Sequence, residues 1–232
     1  MNDSVVVITG GGRGIGRAIS ERFAAAGAQV VIAARSEPEL TATRNAIEKV
    51  GGRCWVQPAD VASNEDIDAL LEDARSRFGR IDVLVNNAGV APHGTIEELD
   101  PHVFDTLLSV NVRAVYYACR AVWGIMKAQG GGTIINLSSI SAFDPFPGFA
   151  AYGASKSWVT AWTRALAEEG RRLNIRVLAV APGAVETKML RDVFPDFPKD
   201  QAMGPKDVAD VVFSLTTPTY RYATGQTIII KR

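Results

Sequence analysis

The sequence predicts an α/β fold in which a parallel sheet is covered by helices on both faces. Two observations carry this. Short β-branched apolar runs recur along the chain and alternate with longer stretches of helical periodicity. The runs themselves lack the polar alternation of a half-wet strand, which marks strands buried on both sides. Repeated strand–helix–strand units join parallel strands by right-handed crossovers and send helices to both faces.

Taken in order, the strand runs are Val5–Ile8, Gln29–Ala33, Cys54–Val56, Ile81–Val85, Thr133–Leu137, Arg176–Val180 and Thr227–Ile230. Helical patterns lie near 14–27, 37–50, 63–78, 101–128, 151–171 and 205–216. Ser63, ahead of Glu65 and Asp66, is a helix N-cap with acids in the first turn, and Asp100-Pro101 reads as N-cap and first helical position. Gly27, Gly51, Gly79 and Gly130 stand where helices must stop. The segment 187–204, rich in Asp, Pro and Phe, is the least regular. No linker or repeat divides the chain, so residues 1–232 read as one domain.

Composition bounds the function. The 232 residues carry 25 Lys and Arg against 25 Asp and Glu. A formal charge of zero argues against a broad nucleic-acid footprint or an anionic-membrane surface. The two cysteines, Cys54 and Cys119, cannot build a disulfide framework, which suits a reducing cytoplasm. No apolar run approaches the roughly 18 residues of a membrane span, and Met1-Asn-Asp-Ser4 lacks the basic and apolar regions of a secretory signal. The expectation is a soluble cytoplasmic protein. Two scattered histidines and two distant cysteines give no metal-ligand cluster.

The first strand runs into Thr9-Gly-Gly-Gly-Arg-Gly-Ile-Gly16 and then a helix. G-x-G-x-x-G does not fit, but G-x-x-x-G-x-G does, at Gly10, Gly14 and Gly16. Glycines there permit a tight turn and let backbone N–H groups approach a pyrophosphate at the helix N-terminus. A P-loop is disfavoured because no Gly-Lys-Ser/Thr follows. The second strand ends Ala33-Ala-Arg-Ser36, without the acid that holds the ribose hydroxyls of NAD. Arg35 suits a 2′-phosphate and Arg13 supplies a second cation, so NADP(H) is expected in preference to NAD(H). The alternatives are a solvated Arg35 and a ribose contact from Glu37.

Tyr152-Gly-Ala-Ser-Lys156 opens the helix 151–171, and i,i+4 spacing puts phenol and ammonium on one face. A neighbouring cation favours phenolate and lowers the tyrosine pKa. Ser139 lies at a strand end, where an open α/β sheet assembles its site.

Thr9-Gly-x-x-x-Gly-x-Gly16, Asn86-Asn-Ala-Gly89, Asn111, Ser139, Tyr152-x-x-x-Lys156 and Pro182-Gly183 occur in order. Together they resemble the short-chain dehydrogenase/reductase family over nearly the whole chain. The resemblance implies a single Rossmann-type, doubly wound domain of seven parallel strands whose substrate site is formed by the C-terminal third. It implies that Tyr152 is the general acid–base, and that Lys156 lowers its pKa and holds the nicotinamide ribose. Ser139 would bind the substrate oxygen, and Asn111 would hold a water linking Lys156 to solvent. It implies cofactor contacts at Gly10, Arg13, Gly14, Ile15 and Gly16, with Asp60 and Val61 at the adenine. Asn87, Ala88 and Gly89 would lie beside the adenosine ribose, and Pro182, Gly183, Val185 and Thr187 would hold the nicotinamide. Asn86 is expected to be a structural hydrogen-bonder.

The chain departs from the family in one place: it keeps Thr224-Gly-Gln226 but has Lys231 near where many members carry the acid of D-G-G. That tail packs at a subunit interface in relatives, so a homodimer and a homotetramer are both expected. The other common interface would use helices 101–128 and 151–171, with Val115, Tyr116, Trp123, Trp158 and Trp162 as candidate apolar contacts or core. Segments 90–96, 140–150 and 187–204 should shape the substrate pocket, the last as a closing lid. Phe143, Phe146 and Phe149, with Met189, Leu190, Phe194 and Phe197, suggest an apolar carbonyl substrate unless they pack beneath the loops. His93 is expected at the rim, and Arg191 and Lys199 are candidates for a phosphate or acidic carrier. A 3-oxoacyl thioester is the first substrate candidate, a broad-range ketone or alcohol the second. The rival class is an NADP(H)-binding sensor without turnover, which would not need both Tyr152 and Lys156.

Overall fold

The computed structural model describes residues 3–232; Met1 and Asn2, on which part of the leader reading rests, lie outside the described residues. The strands are β1 Val5–Thr9, β2 Gln29–Ala34, β3 Arg53–Pro58, β4 Val83–Asn86, β5 Gly132–Leu137, β6 Ile175–Pro182 and β7 Thr227–Ile230. All pair in parallel, in one sheet of order β3-β2-β1-β4-β5-β6-β7. Strand order reverses between β1 and β4, which opens the crevice where such folds place their ligands.

Burial of both sheet faces is visible residue by residue. Val31, Val7, Leu84, Ile134 and Val177 lie in one row across five strands and enter one core. The next row, Ile32, Ile8, Val85, Ile135 and Leu178, points the other way into a second core. The first core receives Ile67, Leu70 and Leu71 of α3 (Asn64–Phe78), Val115 and Val122 of α5 (Ala114–Ala128), and Val159 and Leu166 of α6 (Ala150–Gly170). The second receives Ile19 and Phe23 of α1 (Gly14–Ala25), Leu40 and Ile47 of α2 (Glu37–Lys49), and Val208 and Val212 of α8 (Pro205–Leu215). Neither face of these strands meets water, which is why the runs carry no polar alternation.

The helix ends follow their sequence signals. The Ser63 hydroxyl accepts from the Asp66 amide, and the Asp100 carboxylate accepts from the His102 amide at the start of α4 (Pro101–Leu108). The four predicted glycine stops all have positive φ, from 77° at Gly79 to 89° at Gly130.

Two expectations are corrected. The pattern 101–128 is not one α-helix: a π-helical turn at Ser109–Arg113 separates α4 from α5. An extra residue in one turn leaves the apolar spacing nearly intact, so periodicity does not register it. The strand expected from Ile81 begins at Val83, because the Asp82 carboxylate accepts from the Val5 amide at 2.8 Å and caps the sheet edge.

A buried polar chain locks the centre of the sheet to α6. Asn86 Nδ2 donates to Asn136 Oδ1 at 2.9 Å, and Asn136 Nδ2 donates to Thr163 Oγ1 at 2.9 Å. Asn86 is thus the structural hydrogen-bonder expected of it. Asn136→Ala leaves the Asn86 amide with only the Cys119 sulfur at 3.5 Å and frees the Thr163 hydroxyl in a dry interior. Denaturant unfolding should show a loss of about 2–4 kcal/mol; a loss below about 0.5 kcal/mol would mean that water repairs the chain.

Candidate active site

The phosphate-loop candidate is built by backbone geometry. Gly10 and Gly14 have φ of 68° and 55°, conformations that favour glycine. A Cβ on Gly16 would sit 2.1 Å from the Gly10 carbonyl oxygen, so α1 can pack on the loop only through a glycine. Asn87 Nδ2 donates to the Thr9 and Gly10 carbonyls at 2.9 and 3.1 Å. The Thr9 hydroxyl accepts from the Asn87 and Ala88 amides at 3.1 Å each. The N-terminus of α1 has no side-chain cap and no acid in its first turn, leaving its amides directed at the cleft.

That cleft, about 450 Å³, is lined by Gly10, Arg13, Gly14, Ile15, Gly16, Arg35, Asp60, Val61, Asn87, Ala88, Gly89 and Thr187 among others. Thus twelve of the expected cofactor contacts share one wall system. Arg35 is exposed at its mouth, and Arg13 Nη1 pairs with Glu39 Oε1 at 3.2 Å. Glu37, the alternative ribose partner, lies outside; the acid that α2 sends into the cleft is Glu39, two residues further on.

A second cavity of about 660 Å³ receives Ser139, Tyr152, Pro182, Gly183 and Val185. The two cavities share Ile15, Thr187 and Met189 as walls. The Ser139 hydroxyl is buried, accepting from the Ser141 amide at 3.2 Å and lying 3.3 Å from the Ser141 hydroxyl. Burial raises the Tyr152 pKa, and the facing Ser139 hydroxyl offsets part of that rise. The cation-driven lowering expected for Tyr152 does not dominate here. The Lys156 ammonium lies 5.9 Å from the Tyr152 ring centre and donates to the Leu137 carbonyl at 2.8 Å. It is 5% exposed, and burial pulls its own pKa down to about 8.

Lys156 and Asn111 line neither cavity but stand behind Gly89. A Cβ on Gly89 would lie 3.3 Å from Asn111 Oδ1 and 3.4 Å from Lys156 Nζ. The π-helical turn holds Asn111 fully buried. Its amide donates to the Val90 carbonyl at 2.9 Å and the Ser155 hydroxyl at 3.1 Å, while its Oδ1 accepts from the Val90 amide at 2.9 Å. One acceptor position of Oδ1 remains for the relay the resemblance implies. Ser138 fixes the base of α6 by donating to the Lys156 carbonyl at 3.0 Å. Glu39 and Ser138 belong to no motif read from the sequence, and Ser155 fills an unassigned position of Tyr152-x-x-x-Lys156, although Ser138-Ser139-x-Ser141 marks the strand end as unusually rich in hydroxyls.

The apolar wall agrees in part with expectation. Phe146, Phe149, Phe194 and Phe197 line the second cavity, with Phe149 stacked on Phe194 at 5.7 Å. Phe143 does not; it is 46% exposed elsewhere. His93 is exposed and packs edge-on against Phe149 at 5.2 Å, a rim position. The segment 187–204 contains α7 (Lys188–Val193), capped by the Thr187 hydroxyl. Arg191 is no free anion contact, because it pairs with Glu186 and donates to the Pro195 and Phe197 carbonyls. Among the described residues there is no cluster of three metal-ligating side chains, and no helix is long and apolar enough to cross a membrane.

Residues 4–197 match the short chain dehydrogenase family. The chain is 36% identical to 3beta-hydroxysteroid dehydrogenase 1 of Eggerthella lenta, over 99% of this chain and 93% of that one. Among solved structures it is similar to 3-ketoacyl-(acyl-carrier-protein) reductase from Brucella melitensis complexed with NADH, with TM-score 0.91 and 34% identity over 99% and 97% of the two chains. It is also similar to levodione reductase, with TM-score 0.94 and 30% identity over 100% and 97%.

The buried ammonium makes stability depend on pH. Lys156 titrates at about 8 in the folded chain against its ordinary 10.5. Between those values the unfolded chain binds more protons, so stability rises with pH through the window. The unfolding free energy relative to Lys156→Met should therefore climb from about pH 8 to about pH 9.5 and stay level below about pH 7. A difference level throughout would mean that the ammonium is solvated in the folded state.

Proposed function

The chain belongs to the short chain dehydrogenase family of oxidoreductases, and from that premise we propose that it exchanges a hydride between NADP(H) and a carbonyl or secondary-alcohol carbon of an apolar substrate. The observation that carries this reading is the junction at Ile15, Thr187 and Met189, where the glycine-lined cleft meets the apolar cavity beside Tyr152 and Ser139.

The residues present fit the cofactor. The uncapped N-terminus of α1, the close approach at Gly16 and the narrow passage at Gly89 suit a pyrophosphate and a ribose. Arg35, with no acid at the tip of β2, suits a 2′-phosphate, with Arg13 beside it paired to Glu39, and this supports NADP(H) over the NADH carried by the Brucella neighbour. When bound, the nicotinamide supplies or accepts the hydride.

The protein's own groups manage the proton and the charge. Burial keeps Tyr152 as the phenol at neutral pH, the form that donates to a carbonyl oxygen as it gains negative charge. Ser139 turns its hydroxyl from the long 3.3 Å contact with Ser141 to the same oxygen. Lys156, still mostly charged at neutral pH, stabilises the phenolate left behind. Asn111 positions the segment at Val90 and offers its remaining acceptor to a relay behind Lys156. A 3-oxoacyl thioester, the substrate class named for the Brucella neighbour, is the first candidate, and plain ketones the second. We also read the protein as a cytoplasmic homodimer or homotetramer. The stacked Trp158 and Trp162 (5.4 Å) and the 40%-exposed Tyr116 on the outer face of α5 and α6 support an interface there.

NADPH consumption with a 3-oxoacyl thioester beside a panel of ketones tests the reading. Tyr152→Phe should bind NADPH as the parent does but lose about 10²–10⁴-fold in turnover; parental turnover would end the assignment. In equilibrium titrations, Arg35→Ser should weaken NADPH by about 10- to 100-fold and leave NADH within about twofold. Equal losses for the two cofactors would place the 2′-phosphate elsewhere.

A further inference from the structure

We propose that the apolar cavity accepts a carbonyl compound bearing an anionic group, and that Lys231 and Arg232 select it. The inference rests on the oxidoreductase reading for the placement of the carbonyl at Tyr152 and Ser139.

The register of the last strand delivers these cations to the site. β7 pairs with Ala179–Pro182 of β6, and the Gly183 amide donates to the Ile230 carbonyl at 2.8 Å. Lys231 therefore leaves the sheet beside Gly183, close enough that a Cβ on that glycine would lie 3.1 Å from the Lys231 Cβ. Arg232 follows and reaches across to the Ala202 carbonyl, 3.4 Å from its Nη1. Both line the second cavity. Among the described residues neither forms an ion pair within 4.0 Å.

The remaining wall has Phe146, Phe149, Leu190 and Phe194 on it, and its one carboxylate is Asp200. The charged side chains of the cavity thus sum to one positive charge, and both cations are exposed beside apolar surface. An apolar body with an anionic end engages both parts, whereas a neutral ketone gains nothing from the solvated cations and a sugar leaves the aromatic wall unmatched. Of the other cations in 187–204, Arg191 is held by Glu186 and Lys188 by Asp192, and neither these nor Lys199 line the cavity. A carboxylate and a phosphate ester share the required chemistry.

The test uses the full chain loaded with NADPH. Equilibrium binding of a saturated medium-chain carboxylate is compared with that of its methyl ester. Turnover of oxo-carboxylates of graded length is compared with that of their esters, and an oxoacyl pantetheine thioester with its phosphorylated form. The anionic member of a pair should be favoured about tenfold in Kd or KM, with the preference shrinking as salt is added. Preference in the carboxylate pairs alone or in the phosphate pair alone identifies the source. In Lys231→Met/Arg232→Met the ratio between anionic and neutral partners should fall to about one. Equal binding of acid and ester by the parent, a preference insensitive to salt, or an equal loss of both partners in the variant overturns the proposal. Carboxylate preference in binding with no turnover of any compound would support the anion site and reject the hydride-transfer reading. Turnover of esters and acids alike would do the reverse.

Discussion

Both faces of the sheet are covered by packed helices, and that single constraint decides where chemistry can occur. A polar side chain pointing from the middle of a central strand enters a dry core, as Asn136 does, and must be matched there by neighbours such as Asn86 and Thr163. Reactive groups that must stay available are confined to the strand ends. Because all seven strands are parallel, those ends share one edge, and the reversal of strand order between β1 and β4 splits the covering helices there. Thr9, Asn87, Ser139 and Gly183 all stand at or just beyond the ends of β1, β4, β5 and β6.

At that edge, burial acts on the two ionisable groups of α6 in opposite senses. It raises the Tyr152 pKa and lowers that of Lys156 to about 8, because each loses solvation in its charged form. The cation is tied to the Leu137 carbonyl rather than to the phenol. The free protein consequently holds Tyr152 protonated, and the attraction between phenolate and ammonium becomes important only after a proton has left the phenol. On the proposed mechanism, the same ammonium that fails to ionise Tyr152 in the resting state would stabilise the phenolate when the proton moves, a differential effect of the kind catalysis requires.

Much of this was legible in the sequence, for identifiable reasons. Continuous apolar runs announced two-faced burial, glycines with positive φ announced the helix stops, and Tyr152 and Lys156 at i,i+4 announced a shared helix face. What escaped depends on side-chain geometry over long range. The π-helical turn that buries Asn111 preserves the apolar pattern on either side of it. Glu39 enters the cleft while Glu37 does not, a difference of helical azimuth that the first-acid-after-the-strand rule ignores. Arg191 looked like an anion contact because its partner Glu186 lies five residues away, outside the usual helical pairings, and becomes adjacent only through the turn that starts α7.

The two cavities also divide the handling of charge. The glycine-lined cleft presents Arg13, Arg35 and the amides at the start of α1, and Glu39 pairs with Arg13 there. The second cavity presents aromatic surface, with Lys231 and Arg232 among its lining residues. Between these charged regions lie Ser139 and Lys156, at 8% and 5% exposure, with the phenol of Tyr152. Charges that bind are kept in or near water, where they steer and select at modest strength. The Ser139 hydroxyl and the Lys156 ammonium are desolvated, where a given charge or dipole exerts a stronger field. A change of exposed charge at the periphery, as at Lys231, should therefore leave the electrostatics at the buried centre undisturbed.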